Sequence, residues 1–458
     1  MYCIATLGEQ MKDSYDDIVV GAGIAGIVAG LVKAQQGRKV LLVDNATEAG
    51  GLMRSFHTPQ GHTFDYGTHL LCELGDEALD NLLFAEVRDD AWIEFDGLQS
   101  GHFVHGQLGE ISPVVDAAVL PDGDYFRGLY ELTEATASRK ANYASLAEQL
   151  HCQFGKTISE QLMIPAAEKL FFQCASHLTP DSHLLFGLAR VQGYSAQAVR
   201  MLKQLPLLDE VLAFRSFHEG KTGQARFYPE SGGVGAWVDI LLDKFVSLGG
   251  TLALGTQISD IEYQEGQISA LTIGDQRVAT QLVTWTVPLF GLLKLLPVTL
   301  SKPAEPLLFL DSYLIHLIVD RPPSTAMHYY CNYDPQYSHF RTTLYSNMQG
   351  HGDANGYRAT VELFRAAGSS QPAPAEQAIL NELKACGVFP SDSELRFATT
   401  DFIPNSFPVP THAFRALQKE QLETVKSAVS NIQLFGKARG DIFFMNDVIL
   451  DVYKHAVR

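Results

Sequence analysis

The chain reads as an α/β protein in two parts, a unit built on a parallel sheet and a second, mixed α+β unit. Three observations predict this. A short apolar run, Ile18, Val19 and Val20, leads into Gly21, Gly23 and Gly26 of GAGIAG, and an Ala-rich stretch then runs to Gln36. Gly37 breaks that stretch, a second apolar run covers Val40 to Val43, and Asp44 closes it. A length of 458 residues is long for one domain and sufficient for two cores. Strand, glycine turn, helix, strand and acid in this order predict a Rossmann-type dinucleotide-binding unit.

Each part of that unit has a physical reason. Gly21 permits the tight turn, Gly23 lets backbone approach a pyrophosphate, and Gly26 lets the helix pack close to the strand. Ile24 and Ala25 open the helix, whose free N–H groups and positive dipole end face the phosphates. Asp44, about 20 residues beyond the glycines, is placed to accept a ribose hydroxyl, with Asn45 beside it.

A second glycine pair, Gly50 and Gly51, begins GGLMRS and brings Leu52, Met53 and Arg54; FDYGTHLL follows from Phe64 to Leu71. With these segments the sequence resembles the FAD-dependent superfamily of amine oxidases, protoporphyrinogen oxidases, phytoene desaturases and UDP-galactopyranose mutases. In that superfamily the second pair sits against the FAD phosphates. The stretch similar to FDYGTH passes the flavin ring, which implies FAD contacts at Gly67, Thr68 and His69. A plain NAD dehydrogenase has no reason to carry the second pair. The resemblance thus implies a Rossmann-type FAD-binding domain, of the second glutathione-reductase-like group of flavoproteins, with a mixed α+β substrate domain.

Composition narrows the partners. Apolar residues at 46% and charged residues at 19% are those of an ordinary globular protein. A formal charge of −18 argues against nucleic acid and against an anionic membrane surface. The expected partner is a small-molecule substrate, and the oligomeric state is left open. Six cysteines, Cys3, Cys72, Cys152, Cys174, Cys331 and Cys386, stand without CxxC spacing, which fits a reducing, cytoplasmic compartment. Met1 to Tyr15 reads as a loose tail. Leu282 to Leu300 is apolar but interrupted by Pro288, Lys294 and Pro297, so a strand and buried turn are expected there, not a membrane span.

Along the rest of the chain, Gly75 to Ala91 is amphipathic and helical, and Trp92 to Ser112 reads as short strands and loops. Tyr125 to Leu150 reads as helix, and Ser145 to Pro180 as helix interrupted by Pro165. This region resembles the helix pair on the substrate side of the FAD enzymes. Where the mutases have Trp-Gly-Arg, this chain has Cys174, Ala175, Ser176 and His177. RFYPESGGVG, from Arg226, resembles the turn where the chain re-enters the FAD domain, before a helix from Trp237 to Leu248. Alternating runs from Thr251 to Ile258, Ile261 to Tyr263 and Ile268 to Ile273 are strands, and the resemblance implies a cofactor contact at Ile258. LVTWTVP, Leu282 to Pro288, looks like the strand leaving that domain.

Pro306 to Leu317, Ala359 to Phe364 and Leu395 to Phe402 are strand candidates for a substrate-domain sheet. Between them the aromatic run from His328 to Tyr345 reads equally as pocket lining or as packed strands. At the C-terminal end a strand, Asn431 to Phe435, then Gly436, then a helix opened by Met445, Asn446 and Asp447 and continued by Val448, resemble the segment that closes the FAD domain. The resemblance implies cofactor contacts at Gly436, Asn446, Asp447 and Val448; Asn446 or Asp447 is equally a helix cap. The domains expected are a discontinuous FAD-binding part, 15–105, 221–287 and 415–458, and a substrate part, 106–220 and 288–414.

The resemblance implies a dissociable FAD and an oxidoreductase that passes hydride from an amine, alcohol or carbon–carbon bond to flavin N5. His69 and Arg341 are the candidate active-site groups, and a metal is not expected. The alternative is a non-redox flavoenzyme similar to UDP-galactopyranose mutase. The mutases carry a Tyr-Tyr-Pro where this chain has Asn405, Ser406, Phe407 and Pro408, so the phosphate-binding hydroxyl is missing.

Overall fold

Residues 11–87, 91–95, 97–135, 139–215, 224–303, 305–352 and 355–456 are described by the computed structural model. Residues 1–10 of the expected tail, Cys3 among them, lie outside the described residues. The first strand, Ser14–Val20, ends in the apolar run Ile18–Val20, which is buried because the strand runs through the middle of a seven-stranded sheet. It pairs in parallel with Val40–Val43 on one side and with Gln276–Trp285 on the other. Thr251–Ala253 extends the parallel edge, and Ile258–Gln264 and Gln267–Ile273 form an antiparallel meander leading into Gln276–Trp285. Ile432–Leu434 adds in parallel beside Trp285, so the end of the chain returns to its beginning.

The helix after the glycine turn, Ile24–Gln35, is nearly all buried because helices Gly235–Ser247 and Met445–Ala456 cover it. Gly30 is needed there: a Cβ would stand 3.1 Å from the ring of Phe245. One charge is buried with this layer. Asp17, in the first strand, is met by Lys33 at 2.7 Å and by Arg38, and burial pulls the Lys33 ammonium below its ordinary pKa.

The second sheet is also seven-stranded, in the order Leu395–Pro408, Phe309–Val319, Tyr357–Ala366, His339–Leu344, Tyr329–Asn332, Ser100–Val104 and Gln107–Gly109. Helix Glu376–Ala385 packs through Ile379, Leu380 and Leu383 on one face. The helices between Asp122 and Leu202 pack on the other, where Phe340, Phe364 and Phe407 meet Phe186. A small three-stranded sheet, Leu71–Cys72, Arg226–Pro229 and Trp92–Glu94, stands beside the two large ones.

Several local expectations change. Ser100–Val104, placed by sequence with the nucleotide-binding part, pairs with Tyr329–Asn332 of the second sheet. The turn expected after Trp285 is a helix, Leu289–Leu295, whose Leu289 and Leu292 pack under the first sheet. The interruption expected at Pro165 falls just before it: a π-helical stretch, Ser159–Met163, parts Leu146–Ile158 from Ile164–Phe171, which carries the proline in its first turn. The helix expected from Tyr125 to Leu150 is two, Asp122–Ala135 and Leu146–Ile158. Among the described residues no helix is long and apolar enough to cross a membrane.

The glycine turn supplies a direct test of this packing. A Cβ at Gly26 would lie 1.7 Å from the Gly21 carbonyl oxygen, whereas one at Gly23 meets nothing within 4 Å. Gly26→Ala is expected to lower the urea midpoint, the overpacking costing about 1–3 kcal/mol, and Gly23→Ala to leave it unchanged. Equal midpoints for the two variants would contradict the close helix–strand contact.

Candidate cofactor and active site

The glycine turn is built as a cradle. Gly21 sits at φ +104°, its N–H donates to the Val43 carbonyl at 2.7 Å, and Thr286 closes the far side by donating to the Val20 carbonyl at 2.8 Å. Gly23 then caps Ile24–Gln35 with no side-chain hydrogen bond and no acid in the first turn. Other helices of this chain spend a side chain on the same position: Asp76, Ser145, Ser195 and Thr411 each accept from their first turn. The Ile24 helix, like Gly235–Ser247 and Glu376–Ala385, has no side-chain cap, and its first amides and dipole face the glycine loop.

Three further segments converge on that opening. Gly50 donates to the Ala22 carbonyl at 2.7 Å and lies beside Gly23 in a parallel bridge, with Gly50 and Gly51 both at positive φ. Asp44 accepts from Ala22 N–H at 2.7 Å and from Ala46 N–H at 2.9 Å, so its carboxylate holds the glycine loop while remaining half-exposed. Gly436, at φ +55°, brings the C-terminal loop to Ala25: a Cβ there would stand 3.0 Å from the Ala25 Cβ. Ile258 lies two residues beyond Thr256, whose N–H donates to the Asp44 carbonyl at 3.1 Å; its side chain packs toward the core.

The residues around the opening fit a dinucleotide. Arg54 Nε and Asn446 Oδ1 are buried atoms without a hydrogen-bond partner. Leu52, Phe443 and Phe444 are large apolar side chains left exposed at the same segments. Arg54 lies over the Tyr66 ring at 4.6 Å and only 3.9 Å from Glu48. Ligand phosphate and a flat ring would satisfy both kinds of group. Asn45 and Asp447 are exposed, and Ile24 is half-buried. Ala25, Met53 and Val448 point inward: all three side chains are buried, and the Val448 amide is already given to the Phe444 carbonyl at 3.0 Å. The first-turn amides open to a ligand at that helix are therefore those of Met445, Asn446 and Asp447, before Val448.

Beyond the cradle the chain runs through the FDYGTH segment, Phe64 to His69. Asp65, which sequence reasoning did not single out, is fully buried. Its carboxylate accepts from Tyr228 O–H at 2.6 Å, Ser55 O–H at 2.7 Å and Val234 N–H at 2.9 Å. Burial raises its pKa, against the pull of the Tyr228 and Ser55 hydrogen bonds. The next turn rests on Glu362, also missed: it accepts from Thr68 N–H at 3.2 Å, and a Cβ at Gly67 would stand 3.1 Å from its carboxylate. Glu362 is in turn held by Arg341 through two hydrogen bonds of 2.6 and 2.8 Å. Thr68 and Thr343 share a hydroxyl hydrogen bond of 2.6 Å.

Sequence-distant His69 and Arg341 are thus brought together, with Glu362 between. The half-buried His69 donates from Nε2 to the Tyr66 carbonyl at 3.2 Å. A carbonyl can only accept, so the neutral ring keeps its lone pair on Nδ1. Burial lowers the His69 pKa, and Arg341 lowers it further while Asp65 and Glu362 pull it up. His69 is therefore neutral at neutral pH, with Nδ1 available as a proton acceptor. No group of His, Cys, Asp and Glu among the described residues is arranged to hold a metal.

Residues 19–84 match the model of an NAD(P)-binding Rossmann-like domain. Among curated proteins, the inactive all-trans-retinol 13,14-reductase of Danio rerio is 40% identical over 65 residues, 14% of this chain and 11% of that one. The match spans about a tenth of that relative's length. Among solved structures, reduced UDP-galactopyranose mutase is similar over 97% of this chain and 95% of its own, with TM-score 0.74 and 19% identity. A putrescine oxidase redesigned in its cofactor binding is similar over 97% and 98%, with TM-score 0.59 and 14% identity. The chain shares the overall fold of these two enzymes, with a Rossmann-like domain where the glycine motifs imply one.

The His69 geometry has a spectroscopic signature. Its ring resonance, identified as the one missing from His69→Gln, is expected to titrate with a midpoint below 6.5. A midpoint at or above the ordinary value would contradict a buried, neutral imidazole.

Proposed function

We propose that this chain, built on the fold of the FAD-dependent amine oxidase-like superfamily, is an oxidoreductase that oxidises a small organic substrate. The observation that carries the cofactor is the uncapped helix behind an open Gly23, ringed by Asp44, Gly50, Gly51, Arg54, Gly436 and Asn446. Bound flavin would supply a hydride-accepting N5 for an amine, alcohol or carbon–carbon bond. The glycine loop and the first amides of Ile24–Gln35 would bind the pyrophosphate, and Arg54 would add charge to it. Asp44 would accept a ribose hydroxyl with its remaining lone pairs. His69 Nδ1 would take the proton from a substrate O–H or N–H, and Arg341 would hold Glu362 and hence the Thr68–His69 turn in place. The three-stranded sheet and the aromatic strands 329–345 would exclude water from that step.

A second reading, sugar-nucleotide isomerisation, is favoured by the TM-score of 0.74 to the mutase. Side chains argue against it. Phe407 has its ring 5.5 Å from Phe364 and 6.1 Å from Phe186, packed in the core and with no hydroxyl for phosphate. Cys174 is exposed where the mutases have Trp-Gly-Arg. A site lacking the groups that hold a diphosphate discriminates strongly against it.

Acid precipitation of the purified protein is expected to release a yellow FAD supernatant. The FAD-loaded protein, oxidised or dithionite-reduced, is expected not to interconvert UDP-galactose and UDP-galactofuranose, while an amine, alcohol or reduced carbocycle bleaches the oxidised flavin. Interconversion by the reduced protein alone would establish the mutase reading in its place, and a protein that takes up no flavin would overturn both.

A further inference from the structure

The strand that carries Glu362 holds the FDYGTH segment and the residue before it at three points. Arg358, Thr360 and Glu362 alternate along Tyr357–Ala366 and so share one face. Arg358 donates to the Thr63 carbonyl, and Glu362 accepts from Thr68 N–H at 3.2 Å. Between them Thr360 meets the Tyr345 hydroxyl at 2.7 Å, and that hydroxyl accepts from Asp65 N–H at 2.8 Å. The outer two contacts are direct. The middle one passes through two hydroxyls, either of which can turn, so their direction has to be set from elsewhere.

His316 stands where it can set it. It is fully buried in Phe309–Val319, directly opposite Thr360, with Nδ1 at 2.9 Å from Thr360 Oγ1. Its ring stacks on Phe56 and Phe64, at centroid distances of 5.4 and 4.8 Å. Those two rings are cross-strand partners in the hairpin that leads into the active-site turn. On the other side Nε2 faces Asp401 Oδ2 at 3.5 Å, and both are buried atoms that make no hydrogen bond elsewhere among the described residues.

Donors and acceptors then fall into one order. A carboxylate only accepts, so the neutral ring keeps its proton on Nε2, toward Asp401, and its lone pair on Nδ1. Thr360 O–H donates to that lone pair, Tyr345 O–H donates to Thr360 Oγ1, and the Tyr345 oxygen is left to accept from Asp65 N–H. The reverse order would aim the Nε2 lone pair at a carboxylate and leave the buried Tyr345 O–H without an acceptor, both of them costly.

We propose that His316 is a positioning residue for the active-site turn: through Thr360 it fixes the Tyr345 hydroxyl as the acceptor that holds Asp65, and hence the Tyr66 carbonyl that orients His69. This rests on the reading of His69 as a proton acceptor for what the turn does, but not for how the turn is held. His316 touches neither His69 nor the glycine cradle; it acts through the two hydroxyls.

The test uses the full chain at neutral pH, without added substrate. Its readouts are the ring-nitrogen NMR shifts of His69, assigned by their loss in His69→Gln, and hydrogen exchange of the Asp65 amide. Thr360→Val keeps the shape and removes the relay. His316→Gln places its amide toward Asp401, whereas His316→Asn places one beside Thr360. Thr360→Val and His316→Gln are each expected to quicken Asp65 exchange about tenfold and to shift His69 from one tautomer to a mixture, with His316→Asn within about twofold of the parent. The double variant is expected to go no further than either single one, because one chain is broken once. Unchanged exchange and His69 shifts in Thr360→Val, or equal effects of Asn and Gln at position 316, would overturn the inference. Exchange that quickens equally along the neighbouring strands would show loss of packing alone and would overturn it too. A parent His69 protonated on Nδ1 would overturn the proton-acceptor reading, and Asp65 exchange would still decide the role of His316.

Discussion

The site depends on one buried carboxylate. Asp65 has no exposed surface, and an unpaired charge there would cost several kcal/mol. It is tolerated because three donors from three separate segments reach it: Ser55 from the second glycine stretch, Tyr228 from the re-entering strand, and Val234 from the turn after it. Its own N–H donates to the Tyr345 hydroxyl at 2.8 Å, and Tyr345 shares a hydroxyl hydrogen bond of 2.7 Å with Thr360 of the second sheet. The strand Thr63–Asp65 is thereby fastened to the small three-stranded sheet and to the second large sheet at once. Hydrogen bonds to a charged group contribute about 1.5–3 kcal/mol each, and losing the acceptor would leave several buried donors unsatisfied. The small residue at Gly233 follows from the same contact: a Cβ would come within 2.3 Å of Asp65 Oδ1. Because burial raises the Asp65 pKa above its unfolded value, its contribution to stability is fullest below the unfolded pKa and declines as pH rises through the folded one.

A second consequence is electrostatic. The turn after Asp65 presents His69 as a neutral base because burial and Arg341 disfavour the imidazolium, and Glu362 keeps Arg341 itself compensated. The Arg341 guanidinium is thus paired beside the turn that carries His69. Fixed dipoles in a partly dry setting act more strongly than in water, so position counts for more than number of charges.

What the sequence reveals divides along the range of the interactions. Glycine spacing is a local property, and Gly21, Gly23 and Gly26 behave as their spacing predicts: positive φ, open space and close helix packing. The acid ending the second strand is legible for the same reason, although its hold on Ala22 is an added role. Strand alternation revealed most of both sheets, and the aromatic run 328–345 proved to hold two paired strands, Tyr329–Asn332 and His339–Leu344. Asp65 and Glu362 were not legible, because each matters through a partner far along the chain, Asp65 with Tyr345 across 280 positions and Thr68 with Glu362 across 294. The one local hint was an acid set among apolar and aromatic neighbours in FDY, which needs buried donors wherever it packs. Helix Leu289–Leu295 was missed because its proline-bounded apolar run is too short for periodicity to separate helix from turn.

The central claim is that the opening at Gly23 is a dinucleotide site, with pyrophosphate at the helix terminus and ribose at Asp44. The most direct measurement is competition at equilibrium between FAD and its two halves, followed by flavin fluorescence. The account predicts that ADP displaces FAD, since it carries the ribose and pyrophosphate that this cradle reads, and that FMN binds far more weakly than FAD. FMN binding as tightly as FAD, with ADP unable to compete, would contradict it.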